Sequence, residues 1–218
     1  MTSKLTLLHA CDYRRERWRN QQGWTREILR VPDEDAFHWR VSIAEITQDT
    51  LFSPYLGYRR AQVLLQGGVM HLGFVDGRRM QLEPPHGQAQ FDGDDVAACH
   101  LPDGPVQVFN AIWNPQQVQL QLLHRPFVGT VLFPYAVGVC WLIHLLSGRA
   151  SSHGTHALEL NPGDSLLLQP AQGDRVVMDG HGEALLLRVS GATAPTSWEL
   201  TVPLTEPPVA PSVDPSKT

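Results

Sequence analysis

What constrains this chain most is the frequency with which it must reverse direction. QGG, VDGRR, EPPHG, FDGDD, LPDGP, LNPGD, QGD and MDGHG punctuate the sequence, each a cluster of the residues that supply tight turns. Between them lie short runs rich in β-branched and aliphatic residues: HWRVSIAEI, AQVLLQGGVMHLGFV, VQVFNAIW, VQLQLLH, TVLF, HALEL, DSLLLQ, RVVM and EALLLRV. With so many reversals and almost no 3.6-residue periodicity, only an all-β sandwich or barrel accommodates the chain. A short helix or turn is expected near residues 12–18. The segment 18–29, WRNQQGWTREIL, fits neither strand alternation nor a helical stripe and reads as a shaped entrance loop.

The strands gather in two halves. Residues 1–125 are expected to form one barrel and 126–200 a second. Residues 201–218, with five prolines, read as a disordered tail. In the second half LNPGDSLLLQP, residues 160–170, has the form of a jelly-roll corner, with Pro162 presetting φ and Gly163 allowing the reversal. The charge-free run 127–146 is long enough to cross a membrane, but Gly129, Pro134 and Gly138 interrupt it. Two buried strands joined at Pro134 explain it better.

A net charge of −5 offers no general attraction to nucleic acid or acidic lipid, and Asp12 and Glu16 dilute the run Arg14, Arg15, Arg17 and Arg19. No nucleic-acid or membrane partner is expected. Cys11, Cys99 and Cys140 are odd in number and widely spaced, with no CxxC, and no apolar leader segment precedes them. Both features point to a cytoplasmic location.

Catalytic signatures are sparse. The ten histidines contain no His-x-His, and His153 and His156 sit beside a turn, so no metal and no cofactor are expected. GxSxG, GxGxxG and GxxxxGK[ST] are absent. Cys99 and His100 are neighbours on a strand and so point to opposite faces. What remains is polar chemistry on apolar strands. In WRVSIAEI, alternation puts Arg40, Ser42 and Ala44 on one face and Trp39, Val41, Ile43 and Glu45 on the other. Arg40 either grips a carboxylate ligand or pairs with an internal acid such as Glu27. Phe52 and Tyr55 can anchor a loop offering Ser53, and Arg60 opens the next strand either as a binding residue or as a surface arginine beside Arg59 at the strand end.

Four ordered blocks then converge on a known family. Trp18, Arg19, Asn20, Gly23, Thr25, Glu27 and Ile28 resemble its W-[KR]-N-G-G-G-x-T-x-E-I opening, with Gln21 and Gln22 in place of two glycines. Phe37, Trp39, Arg40, Ser42 and Ala44 meet F-x-W-R-x-S-x-A, and Phe52, Ser53, Tyr55, Gly57 and Arg60 meet F-S-x-[FY]-x-G-x-x-R. Cys99, Leu101, Asp103, Gly104, Pro105, Phe109 and Asn110 resemble C-x-L-x-D-G-P-x-x-D-F-N, with Val108 where an acid is usual. Over residues 18–110 the chain thus resembles the HutD/Ves family of cupin-type proteins. The remainder matches only in strand pattern.

The resemblance implies a bicupin, two small jelly-roll barrels packed as one body, and a role connected with histidine utilisation. It implies a ligand site of Arg40, Ser42, Ser53, Arg60 and Asn110. Asn20, Thr25 and Glu27 hold the entrance loop, and Trp18 and Trp24 seal it. The expected partner is a small anionic metabolite, formylglutamate and urocanate being the candidates. Binding without catalysis is the leading expectation. A cupin enzyme, with or without a metal, acting on an amino-acid-derived metabolite is the alternative, and docking through the proline-rich tail a third reading. Cupins pair through exposed strands, so a homodimer is allowed.

Overall fold

The computed structural model describes residues 2–18, 21–153 and 157–191. Asn20, His156 and the tail 201–218 lie outside them. Among the described residues, strands β1 to β16 form three sheets. The central sheet has the order β2(Arg14–Arg17), β3(Gly23–Val31), β4(Trp39–Ile46), β11(Val106–Trp113), β6(Arg59–Gln66), β9(Gln88–Asp92). A smaller sheet, β5(Thr50–Leu51), β10(Ala97–His100), β7(Met70–Phe74), β8(Arg79–Leu82), closes over one of its faces. The third sheet runs β1(Lys4–Leu8), β15(Ser165–Gln169), β13(Val139–Ser152), β16(Val176–Gly191), β12(Val118–Phe133), with β14(Leu158–Leu160) on β13. The fold is all-β, as the turn density requires, and cupin-like, as the family resemblance implies.

Three apolar cores hold these layers together. Ala44, Ile46, Leu64, Leu72, Phe91 and Val108 fill the first barrel, between the central and small sheets. Phe127, Phe133, Ile143, Leu145, Leu166 and Met178 fill the second. The third core is the seam between them, where Trp39, Val41, Ile43, Val63 and Phe109 of the central sheet meet Leu142, Leu167, Leu185 and Leu187. Alternation on β4, β6 and β11 therefore sends every second side chain into the seam and the others into the first barrel.

Several local expectations need correction. Residues 12–18 are not helical: a single 3-10 turn, Ala10–Asp12, leads directly into β2. Half of the expected entrance loop is strand, because β3 begins at Gly23 and pairs with both β2 and β4. A register shift between Glu27 and Leu29 buries Glu27, Ile28 and Leu29 in succession, which is why alternation is invisible there. VQLQLLH and TVLF belong to the one strand β12, and RVVM and EALLLRV to β16. The run 127–146 does form two strands meeting near Pro134, but Val128 and Leu132 on the first are exposed rather than buried. No helix among the described residues is long and apolar enough to cross a membrane.

The first strand crosses between halves. Residues 4–8 pair antiparallel with β15, so the start of the chain edges the C-terminal sheet. The 125/126 boundary falls inside β12. The corner at Asn161–Asp164 holds this strap. Gly163 takes φ +90°, and Asp164 accepts from the amides of Asn161 and Ala10 at 3.3 and 2.8 Å. Tyr13 donates to the Gly163 carbonyl at 2.8 Å, and its hydroxyl lies 2.8 Å from Ser165 Oγ. Gly148 and Gly182, opposite one another on β13 and β16, both have positive φ. A Cβ on either would strike the facing backbone, so the long strands bend there as only glycine permits.

His144 sits in this corner with Nδ1 2.9 Å from Ser165 Oγ. Burial, reinforced by the charge of Arg26 and opposed by Asp164, drives its pKa down to about 4 from an ordinary 6.5. Between those two pH values the unfolded chain binds a proton that the folded one refuses, so stability is whole above pH 6.5 and falls as pH drops towards 4. The expected loss is up to about 3 kcal/mol over that window. His144→Gln should flatten the slope, and urea midpoints at about pH 7.0, 5.5 and 4.5 measure it.

Candidate functional site

The inner face of the central sheet is layered. One row across it reads Arg40, Ile112, Arg60, Phe91, the next Glu27, Ser42, Asn110, Gln62, Ala89, and the third Thr25, Ala44, Val108, Leu64. Polarity thus declines from one end of the first barrel to the other. The polar end opens into a cavity of about 460 Å³, within the usual range of roughly 300–1,000 Å³ for small-molecule sites.

Of the residues expected to bind ligand, Arg40, Ser42, Ser53, Arg60, Asn110 and Thr25 all line this cavity. Asn20 lies outside the described residues. Glu27 does not line it but holds its wall. Glu27 Oε2 accepts from Arg40 Nε and from Arg30, the latter at 2.7 Å, and its Oε1 accepts from Arg14 at 2.8 Å. Burial pushes the Glu27 carboxyl upward, but the hydrogen bonds and charges of Arg30 and Arg40 outweigh it and hold it below its ordinary value. The two readings of Arg40 are therefore both met: it pairs with Glu27 and still faces the cavity, donating from Nη1 to Tyr55 Oη at 3.3 Å.

Arg60 is placed differently. It is 5% exposed and has no carboxylate within ion-pair distance among the described residues. Nη2 donates to Asn110 Oδ1 at 3.3 Å, while Nε and Nη1 are buried without a hydrogen-bond partner among the described residues. The rings of Phe52, Phe91 and Tyr55 surround the guanidinium at 5.0, 5.2 and 5.7 Å. Burial, with Arg40 adding to it, lowers its pKa to about 10, so it stays charged at neutral pH. Asn110 Oδ1 also accepts from Gln62 Nε2 at 3.4 Å, which leaves Gln62 Oε1 a buried acceptor without a donor among the described residues. Since guanidinium only donates, Oδ1 must be the Asn110 atom facing Arg60, and the Gln62 orientation follows.

The loop at the mouth is partly as expected. Trp18 donates to Thr25 Oγ1 at 2.8 Å and packs edge-on against Phe52, ring centroids 6.4 Å apart. Trp24 does not seal the cavity: it alternates with Thr25 on β3 and stacks beneath Arg15, 4.3 Å away. Gln21 holds φ +61°, a conformation suited to the glycine it replaces. Gln22 fastens the loop instead, accepting from Thr50 Oγ1 at 2.5 Å and, through its carbonyl, from Thr47. Val108 is wholly buried between Ala44 and Leu64, in a layer where an acid would have no partner. Alternation from Arg60 points to Gln62, which the sequence reading missed. Glu16, Arg17 and Leu51 complete the mouth and carry no comparable signal.

A cupin metal needs imidazole and carboxylate together, and the described residues that line this cavity supply Glu16 alone. That donor set does not fit such a metal. The adjacent Cys99 and His100 do not form a pair: the thiol is buried, and the imidazole is exposed beside Asp49.

The profile of the HutD family matches residues 10–186. The chain belongs to the HutD family. A protein encoded in the hutC 3′ region of Pseudomonas putida is 34% identical over 191 residues, covering 87% of this chain and 94% of the relative. Protein Ves of Escherichia fergusonii is 33% identical over 117 residues, 50% of this chain and 59% of that one. Among solved structures, HutD of Pseudomonas fluorescens SBW25, in a formate condition, superposes with a TM-score of 0.74 at 26% identity, covering 86% of this chain and 99% of that one. HutD membership thus extends well past the four blocks into the second barrel.

Glu27 is the acid that faces three guanidinium groups, two of them largely buried. Glu27→Gln should therefore cost about 3 kcal/mol, as removing one partner of a buried pair does, seen as a lower urea midpoint with unchanged slope.

Proposed function

We propose that this protein binds a small carboxylate metabolite in the first-barrel cavity and does so without turning it over. The observation that carries the reading is Arg60. A buried guanidinium without a counter-ion costs several kcal/mol, and a chain keeps such a group where it meets an anion. Nε and Nη1 are the donors left for an anion; they lie on different edges of the guanidinium, so a carboxylate would meet either one, with the second proton of Nη2 completing a fork. Asn110, Ser42 and Ser53 add polar contacts, and Arg40, already neutralised by Glu27, contributes its remaining donors.

Gln62 narrows the class. Its free Oε1 asks for a ligand that carries an N–H as well as a carboxylate. Formylglutamate and urocanate both do, and the hut-linked gene neighbourhood of the P. putida relative favours a histidine-breakdown intermediate. A binding protein for such a compound would act as a regulator or a sequestering agent in the cytoplasm.

Chelator-treated protein, heated with urocanate, formylglutamate, histidine or glutamate, tests this. A ligand at about 100 times its Kd adds roughly 2.7 kcal/mol, which moves the melting temperature by several degrees. The substitution Arg60→Met replaces an unpaired buried charge with an apolar chain of similar length. It should raise the stability of the ligand-free protein by about 1–3 kcal/mol while abolishing every carboxylate shift. An Arg60→Met variant that still responds to the same acid would remove Arg60 from the binding site.

A further inference from the structure

Ligating groups converge at one other place. Donor atoms of His86, His124 and Glu183 lie within 4.8 Å of one another, and none of the three lines the cavity. His86 comes from the turn between β8 and β9 of the first barrel. His124 and Glu183 come from β12 and β16 of the second, where Leu185 faces His124 and Pro126 faces Glu183. That register makes His124 and Glu183 diagonal neighbours on one face of the sheet. The trio therefore bridges the two barrels.

The turn aims His86 across the gap. Its backbone takes φ +60°, and the Gly87 amide donates to the Glu83 carbonyl at 2.8 Å. His86 Nδ1 lies 3.3 Å from the carbonyl oxygen of Leu64, an atom that only accepts, so the ring proton belongs on Nδ1. In the neutral ring Nε2 is then a bare lone pair. It faces Glu183 Oε2, another acceptor, at 3.1 Å, and His124 Nε2 approaches that same oxygen at 3.3 Å. A cation shared by the three donor atoms would satisfy this arrangement.

The spacing fits a small divalent ion. Metal–donor bonds of about 2.0–2.2 Å in a tetrahedron put neighbouring donors about 3.3–3.5 Å apart, within a few tenths of an ångström of the two separations here. An imidazole whose second nitrogen is tied to a backbone carbonyl is the usual form of an oriented ligand. Two imidazoles and a carboxylate suit zinc and similar borderline ions. Glu183 is half-exposed, which leaves a fourth position open to water. We propose that His86, His124 and Glu183 form a zinc-class site that clamps the two barrels across their seam. It is independent of the carboxylate pocket, and the cupin ligand pattern gives no hint of it.

Untagged full-length protein, stripped with chelator and titrated calorimetrically with Zn²⁺ at neutral pH, tests the site. One saturable equivalent is expected in the wild type. His124→Ala and Glu183→Gln, both at partly exposed positions, should each weaken binding about tenfold or more with unchanged circular dichroism. Co²⁺ substitution should give the absorption bands of a low-coordinate ion in the wild type and lose them in both variants. If the wild type takes up no Zn²⁺, the proposal fails. Wild-type affinity in both variants overturns it equally.

Discussion

The inner strands of the central sheet, β4, β11 and β6, have almost no solvent face, and the other features of the molecule follow from that. One side of β4, β6 and β11 seals the seam with Trp39, Val41, Val63 and Phe109, while the other walls the first barrel with Arg40, Ser42, Arg60, Gln62 and Asn110. Because the side-chain period is two, a slip of one residue would exchange these sets and drive two arginines into an apolar seam. Register and binding chemistry are thus fixed by the same alternation. Ordinary half-exposed sheets tolerate polar variation on one side, but these three strands have no such side to spare.

Within that frame two arginines on one row meet different fates. Arg40 is neutralised by Glu27, which also gathers Arg14 and Arg30 into a cluster reaching the surface. Arg60, two strands away, has aromatic rings around it and an amide oxygen as its hydrogen-bond acceptor among the described residues. The rings shield the charge from water, and cation–π contact repays only part of what hydration would give. The fold thus satisfies one guanidinium internally and leaves the other for something that arrives from outside.

Much of this was legible in the sequence, and for physical reasons. WRVSIAEI alternates cleanly, so the split between Arg40, Ser42, Ala44 and their seam-facing neighbours could be read directly. The four blocks that resemble HutD relatives span the strands and loops that build the cavity, which is why six of the expected site residues meet there. What could not be read depends on long-range geometry. The bulge after Glu27 erased the alternation of β3. Glycines within β16 look like a turn, yet they bend one continuous strand. His86, His124 and Glu183 are separated by dozens of residues and follow no motif, so only the packing of two barrels reveals them together.

The N-terminal strap has a consequence for how the molecule is made. Thr6 pairs with Leu167, so the strand that leaves the ribosome early waits for a partner some 160 residues behind it. At about 5–20 residues per second that delay is roughly ten to thirty seconds, long on the timescale of β-hairpin formation. For the last third of it, once Trp113 has been made, the first barrel has its whole sequence available, whereas the second still lacks both its edge strand's partner and the corner at Asp164. Synthesis therefore orders the two barrels in time: the cavity-bearing half can have its whole sequence while the half that covers its seam face is still being translated.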